Sequence, residues 1–443
     1  MHTFKRGIFP NEKKEHTRLA PVNFRLPATG CEMIFPLLQH MGAKCEPLVK
    51  KGQKVFVGEK IADSDAYISA PIHSSVSGTI KDIAPCITIM GTVVDSVIIE
   101  NDGEFTDCGG IKKRDGYEKL SGAELISIIR EAGIVGLGGA GFPTHVKLSP
   151  PKDKKIDTIL VNGCECEPYL TTDNQIMVEE AEKIIVGLQI IQKIIPGAAG
   201  VIAIEDNKPV AIETMQKACE DIPNIKVIVM KSKYPQGSEK QLINAATKRK
   251  VPSGGLPGDV GCIVNNVDTV IAIQRAVFRG RPLMRKVVTL TGDAIKNPGN
   301  YHVHLGTQLS DLVDMVGGLA CNPKKIVTGG PLMGVAIFDT RVPIVKTTGG
   351  VLFLTEKEAY IPPEGACIRC GSCVDRCPMG LIPIELNTDV LRENNEAFVA
   401  HDGLECIECG SCSYICPSKR RLSQSIRTIR RAELAKRKSG QGA

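Results

Sequence analysis

Tryptophan is absent from this 443-residue chain, and aromatic residues make up only 4% of it. So few rings exclude a broad base-stacking platform for nucleic acid. Long apolar runs are missing too. The longest, residues 184–204, is broken by Gln189, Gln192, Lys193 and Pro196, so it reads as a helix leading into a buried strand and not as a membrane span. The first residues, Met1 to Arg18, are polar and basic, without the apolar centre of an export signal. A cytoplasmic protein is expected, in which disulfides are rare, and any membrane association would come through partners. Excess charge is scarce: the net value is +6, and much of it lies between Lys419 and Lys438, where nine Lys or Arg face only Glu433. The rest is near neutral, which speaks against a general nucleic-acid binder. The basic stretch has helical spacing from about Leu422, with Ile426 and Ile429 on one side. It is expected either to dock on an acidic partner or anionic lipid, or simply to be a solvated helix.

What the chain does have is cysteine in a pattern. Cys367, Cys370, Cys373 and Cys377 precede Pro378, and Cys406, Cys409, Cys412 and Cys416 precede Pro417. Each half reads C-x2-C-x2-C-x3-C-P, and the halves repeat at one constant offset. This is the spacing of bacterial two-cluster ferredoxins, in which the fourth cysteine of each run ligates the other cluster. Cys367, Cys370, Cys373 and Cys416 are therefore assigned to one [4Fe–4S] cluster, and Cys406, Cys409, Cys412 and Cys377 to the second. Gly371 and Gly410 let the backbone turn closely round the sulfides. Zinc would call for two pairs of ligands, not two runs of four.

The remainder has the composition of a soluble globular protein, 42% hydrophobic and 23% charged, and is long enough for several domains. Residues 1–110 show short apolar runs between glycine turns, the mark of hairpins. The pattern resembles lipoyl and biotinyl carrier domains, a barrel-sandwich fold, with Asp63-Ser-Asp-Ala-Tyr67 where the modifiable lysine would stand. Docking is expected of it, and His73 reads as a satisfied surface histidine. Residues 111–284 alternate helix and strand, the rhythm of a doubly wound sheet. Here a helix over 121–132 leads to a glycine-rich loop, Gly136-Leu-Gly138-Gly139-Ala140-Gly141-Phe142-Pro143, running to Lys147. Such a loop before a helix start suits a phosphate. A strand from Thr158 ends in Asn162-Gly-Cys164-Glu165-Cys166-Glu167-Pro168, with acidic groups where α/β sheets bind ligands. A helix is expected over 175–195, and a strand over 262–269 before the next helix. Residues 285–355 read as a small β-grasp module, 356–421 as the cluster domain and 422–443 as the basic helix or tail.

Taken together, these motifs resemble a known family. Gly136–Lys147 resembles the flavin loop of the flavoprotein subunit of respiratory complex I. Asn162–Pro168 resembles its NADESEP motif, Gly237-Ser-Glu239 its GEE motif, and Val264–Thr269 its INNVET motif. With the carrier-like domain in front and the doubled ferredoxin behind, the chain resembles the C subunits of Rnf electron-transport complexes. The resemblance implies an α/β multidomain fold: a Rossmann-like FMN/NADH domain, the N-terminal carrier-like β domain, a soluble-ligand-binding β-grasp domain and a C-terminal two-cluster ferredoxin domain. It implies FMN and two [4Fe–4S] clusters as cofactors, NAD(H) as substrate, and a peripheral place on the cytoplasmic face of the cell membrane. Partners would be the other Rnf subunits, including the ferredoxin-like B subunit and membrane subunits, with no nucleic acid. Electrons would move between ferredoxin and NAD, coupled to Na+ or H+ transport. Gly136, Gly138, Gly139, Ala140, Gly141, Lys147, Asn162, Glu165, Gly237, Glu239, Asn265 and Asn266 would hold the flavin. Phe142 and Glu167 would face the nicotinamide nucleotide. Cys164 departs from the family's aspartate, Ser238 replaces a glutamate, and Leu148-Ser149-Pro150 lacks the aromatics that follow the lysine in complex I. A diaphorase subunit of a soluble hydrogenase or formate dehydrogenase is the alternative, and a non-enzymatic scaffold the third reading.

Overall fold

The computed structural model describes residues 1–114 and 116–438; the end of the basic tail, 439–443, lies outside the described residues. Its centre is a parallel sheet in the order Ile225–Met230, Ala199–Glu205, Thr158–Gly163, Cys262–Asn266. These strands are apolar almost throughout, as strands covered on both faces must be; Ile159, Leu160, Val161, Ile202, Ala203 and Ile204 are fully buried. The chain runs outward from Thr158–Gly163 and then returns to its other side with Cys262–Asn266. The order thus reverses between those two strands, and ligands of such sheets bind outside the carboxyl ends at that reversal.

Helix Ala181–Ile194 crosses Val267–Arg279 closely, because a β-carbon on Gly187 would lie 2.3 Å from the Val270 carbonyl. The single helix expected over 175–195 is two helices, Thr172–Glu179 and Ala181–Ile194, separated at Glu180. The strand expected to reach 269 ends at Asn266, whose side chain accepts from Asp268 N at 2.9 Å and caps the helix that follows.

The β-grasp module forms a six-stranded mixed sheet. Strands Arg285–Thr291 and Gly299–His304 pair antiparallel, as the hairpin pattern predicts, and Gly350–Leu354 lies parallel to the first. Its edge strand comes from far away: Val22–Phe24 pairs parallel with Asn300–His302. The N-terminal segment therefore does not stay with the barrel-sandwich strands of its own stretch. His2 bridges to Met230 and Ile8 to Tyr234, so the segment covers an otherwise open edge of the parallel sheet and then the edge of the next sheet.

The barrel-sandwich strands begin at Glu32. Their four-stranded sheet places Val93–Asn101 between Glu32–Pro36 and Gly78–Ile87, with Met33, Phe35, Val97 and Ile99 inside. The segment standing where a carrier lysine would swing is tied down. Arg130 grips both oxygens of Asp63 at 2.9 and 3.0 Å. His73 is not a surface residue: it is 5% exposed, its Nδ1 has no partner, and burial lowers its pKa to about 3. The loop around it packs against the β-grasp module, whose His304 Nδ1 meets Ser75 O at 2.7 Å. Among the described residues after Leu354 there is no strand, only short helices and the C-terminal helix Leu422–Lys438.

Lys346 fastens three of these parts. Its fully buried Nζ donates to Pro71 O at 2.6 Å in the barrel sandwich and to Gly133 O at 2.8 Å after helix Gly122–Glu131. Burial lowers its pKa to about 8. Lys346→Met should cost about 1–3 kcal/mol in denaturant unfolding, since two buried carbonyls lose their donor. Because the folded-state pKa lies below the ordinary value of 10.5, the unfolded chain binds more protons between about pH 8 and 10.5. The lysine's contribution should therefore rise with pH across that window, and the variant should lose this rise.

Candidate functional site

Two regions bring chemistry-bearing side chains together. In the cluster domain, Cys367, Cys370, Cys373 and Cys416 line one cavity of about 150 Å³. Cys377, Cys406, Cys409 and Cys412 line a second. Each set takes its fourth thiol from the other half of the repeat. No group of three or more such side chains among the described residues converges on a point suited to one ion. The thiols instead surround a space, which fits a cubane with a thiolate at each iron. The loops bend in the same way: Arg369 and Glu408 both have φ 54°, and Gly371 and Gly410 both have φ 77°. Arg369 N lies 3.4 Å from Cys367 Sγ, and Glu408 N 3.4 Å from Cys406 Sγ.

The surroundings of the two sets differ. Cys367 and Cys370 are exposed, whereas Cys377, Cys409 and Cys412 are buried. Burial pushes the Cys406 thiol up to about 11 and raises Cys409 and Cys412 as well. Hydrogen bonding to Ser372 lowers Cys370. The buried set faces the parallel-sheet domain. Tyr234, itself 1% exposed, brings its hydroxyl to 2.7 Å from Cys409 O, Gln241 donates to Pro378 O at 3.2 Å, and Lys240 pairs with Glu405 at 3.0 Å.

The second region is the sheet's reversal point. The glycine loop approaches the end of Cys262–Asn266: Leu137 N donates to Thr269 Oγ1 at 2.9 Å, and a β-carbon on Gly138 would meet Asn266 at 3.2 Å. Gly139, at φ 100°, has nothing within 4 Å of its β-carbon position, and Gly138, Gly139 and Ala140 are exposed. A Cβ-free, open stretch of backbone is what a closely approaching phosphate requires. The helix after the loop is a single turn, Thr144–Lys147, so amides of the loop itself, more than an extended helix dipole, are available to an anion. Lys147 reaches back to Val264 O at 2.8 Å and Glu239 at 3.3 Å, joining three motifs far apart in the chain. Asn162 donates to Gly237 O at 2.8 Å. Asn265 is 4% exposed and its Nδ2 has no partner, an unmet donor at the strand end. This convergence, with an orphan amide and an open glycine cradle, fits a flavin phosphate and ring.

Some expected contacts have other duties. The Glu165 carboxylate accepts from Asp173 N at 2.7 Å and Asn174 N at 3.2 Å, so it caps helix Thr172–Glu179. Glu167 accepts from Leu332 N at 3.2 Å and Met333 N at 3.0 Å, and lies 3.2 Å from the Tyr234 hydroxyl. The residue keeps partial exposure, but its carboxylate is packed round by protein, which pushes its pKa up to about 7. Phe142 is half-buried, and its carbonyl closes the glycine loop by accepting from Gly136 N at 2.9 Å. Cys164 is fully buried with its thiol toward Ala203 O, a core residue.

Several contributors carry no sequence signal. Asp173 accepts from Asn266 Nδ2 at 2.7 Å, and burial together with Glu165 raises it to about 7. Lys286, buried in the β-grasp module, holds Leu137 O and Asp268, each at 3.0 Å. Lys14 and Lys208, both 3% exposed, donate to the carbonyls of Glu165 and Cys164. They steady the turn where Glu165 adopts φ 46°.

Residues 129–275 match the family described as the Nuo51 FMN-binding domain, and residues 2–104 the RnfC barrel sandwich hybrid domain. Residues 287–336 match the SLBB domain and 366–420 the 4Fe-4S dicluster domain. The chain is 44% identical over 434 residues to the C subunit of a proton-translocating ferredoxin:NAD(+) oxidoreductase complex of Clostridium ljungdahlii, covering 97% of this chain and 94% of that one. It is 43% identical to the C subunit of the Na(+)-translocating complex of Acetobacterium woodii, covering 99% and 98%. The C subunit of an ion-translocating oxidoreductase complex of Vibrio cholerae is 37% identical over 86% of this chain and 49% of its own. Among solved structures, an NAD+-reducing [NiFe]-hydrogenase in the air-oxidized state superposes with a TM-score of 0.53 at 17% identity, over 73% of this chain and 63% of that one. That likeness is one of fold.

Two outcomes follow from the geometry. Cys377→Ala should disturb the site of Cys406, Cys409 and Cys412 and spare the exposed one, as read by electron paramagnetic resonance; damage at the exposed site would refute the crossed arrangement. Glu167→Gln should change the pH dependence of stability. Glu167 titrates higher in the folded protein than its ordinary value of 4.5, so its contribution is full below about 4.5 and is lost as pH rises through about 7. The glutamine variant should lack that decline in unfolding experiments between about pH 4.5 and 7.5.

Proposed function

Because the chain belongs to the family of C subunits of ion-translocating ferredoxin:NAD(+) oxidoreductase complexes, we propose a specific division of labour among its residues. The chain is an electron-transfer subunit with an FMN domain and a two-cluster domain, and electrons pass between NAD(H), FMN and two [4Fe–4S] clusters. Related complexes translocate Na+ or H+. The observation that carries the residue-level reading is the meeting of Lys147, Glu239, Asn265 and the open Gly138–Ala140 backbone at the sheet's reversal point.

FMN bound there supplies the conversion between two-electron hydride chemistry and single-electron transfer, which iron–sulfur centres lack. The loop amides of Gly136–Gly141 and the Lys147 ammonium would meet its phosphate. Asn162, Asn265, Asn266 and Gly237 would border its ring system, with Glu165 and Asp173 behind them. Phe142 and Glu167 would bound the side open to NAD(H). Among the cysteines, the set of Cys377, Cys406, Cys409 and Cys412 is the one in contact with the flavin domain, and the exposed set of Cys367, Cys370, Cys373 and Cys416 is the one a partner can reach. That exposed set is rimmed by Ile368, 66% exposed, suiting it to a one-electron protein such as the ferredoxin-like B subunit of the complex. No helix among the described residues is long and apolar enough to cross a membrane. Membrane subunits would hold the chain as a peripheral component, on the cytoplasmic face.

Gly139→Glu tests the placement. It puts a side chain and a negative charge in the open cradle and should abolish FMN binding and NADH oxidation, while about eight irons per chain remain, the number for two [4Fe–4S] sites. Lys147→Ala should weaken flavin binding less, because the amides persist. Stoichiometric FMN and full NADH-linked activity in the Gly139→Glu protein would move the site elsewhere.

A further inference from the structure

The two cysteine loops make matching hydrogen-bond contacts to their sulfurs, so what distinguishes the two centres lies outside those contacts. Besides the matched N–H contacts, Cys370 Sγ lies 3.4 Å from Ser372 Oγ and Cys409 Sγ 3.4 Å from Ser411 Oγ. Between the first and third cysteine of each run the copies part at one position. Arg369 occupies it in the exposed half, and Glu408, 9% exposed, occupies it in the buried half. Three arginines of the C-terminal helix converge on Glu408. Arg430 Nη1 donates to Oε1 at 2.9 Å and Arg431 Nη2 to Oε2 at 3.3 Å. Arg427 Nε stands 2.9 Å from Oε2 with its N–H not aimed at the oxygen, so that contact is ionic. Arg430 also donates to Leu404 O at 3.0 Å, which fixes the helix against the loop. One carboxylate cannot balance three guanidiniums, so net positive charge stays beside the buried cysteines. The nearby Lys240 is already paired with Glu405, and Arg6 lies 3.5 Å from Cys377 O.

We propose that Arg427, Arg430 and Arg431 tune the reduction potential of the buried iron–sulfur site, with Glu408 as their anchor. The proposal rests on the assignment of the cysteines to two [4Fe–4S] clusters. A cluster held by four thiolates goes from a net charge of about −2 to −3 on taking one electron, with no bond made or broken. Burial opposes that added charge, and nearby cations favour it. Without the arginines, the buried centre would be the harder of the two to reduce, although it is the one that touches the flavin domain. The arginines offset that burial at the centre in contact with the flavin domain. Three of the nine basic residues of the basic stretch are therefore engaged at Glu408.

Redox titration of the full chain with both clusters in place, followed by electron paramagnetic resonance, tests this. Glu408→Gln removes the only carboxylate of the group and should make the buried centre about tenfold easier to reduce, which for one electron is about 59 mV upward. Arg430→Gln should shift the same signal downward. The exposed centre should keep its midpoint in both. Unmoved midpoints in both variants, or equal shifts of both centres, would overturn the proposal. Should Glu408→Gln fail to assemble the buried cluster, Arg431→Gln replaces it. Arg431 is the most exposed of the three, with 54% of its side chain accessible, so a small downward shift confined to the buried centre supports the proposal and no shift overturns it. Absence of two iron–sulfur signals in the unmodified chain would instead sink the cluster assignment itself.

Discussion

The hydroxyl of Tyr234 is the point on which the arrangement of the two redox regions depends. It sits between the Cys409 carbonyl at 2.7 Å and the Glu167 carboxylate at 3.2 Å, inside a packed junction. A tyrosine has one proton to give, and the shorter contact takes it. Glu167, raised to about 7 by burial, can carry the proton for the other contact near neutral pH. Glu167 in turn holds the amides of Leu332 and Met333 from the β-grasp module. One small polar knot thus fixes three modules: the end of the central strand, the β-grasp turn and the buried cysteine loop.

A second constraint is the number of buried cations that support bent backbone. Lys14 and Lys208 donate to the turn at Cys164 and Glu165, Lys286 to the glycine loop, and Lys346 to the barrel sandwich. Each satisfies carbonyls that would otherwise be orphaned by irregular loops at the interior. Buried ammonium groups are costly unless fully hydrogen-bonded, and three of these four bond groups contributed by more than one stretch of chain. That cost is a reason to expect rigidity in the loops that would receive FMN. The barrel-sandwich domain shares in this: it keeps a carrier-like fold, but Asp63 is locked by Arg130 and the swinging position is gone.

Much of this was legible in the linear chain. The doubled cysteine spacing determined which three thiols of each run stand together, because a short, tight turn leaves a thiol few directions, while the crossing of the fourth followed from the likeness to two-cluster ferredoxins. Alternating apolar runs determined the parallel sheet, because strands covered on both faces must be apolar along their length. The motifs lay at 136–147, which opens a helix, and at 162–168 and 264–269, which end strands, and a doubly wound order brings strand ends to one edge. Tertiary structure alone decided what each charge does there. Glu165, expected at the flavin, also caps a helix; His73 looked exposed and is buried; the arginines near the end looked free, and three of them meet at Glu408. It also decided that the N-terminal segment leaves its own domain, and that one cysteine set is covered while its copy is open. The physical reason is common to these cases. Turn geometry and apolar periodicity act over a few residues and so are written locally, whereas burial and ion pairing depend on which distant surfaces meet.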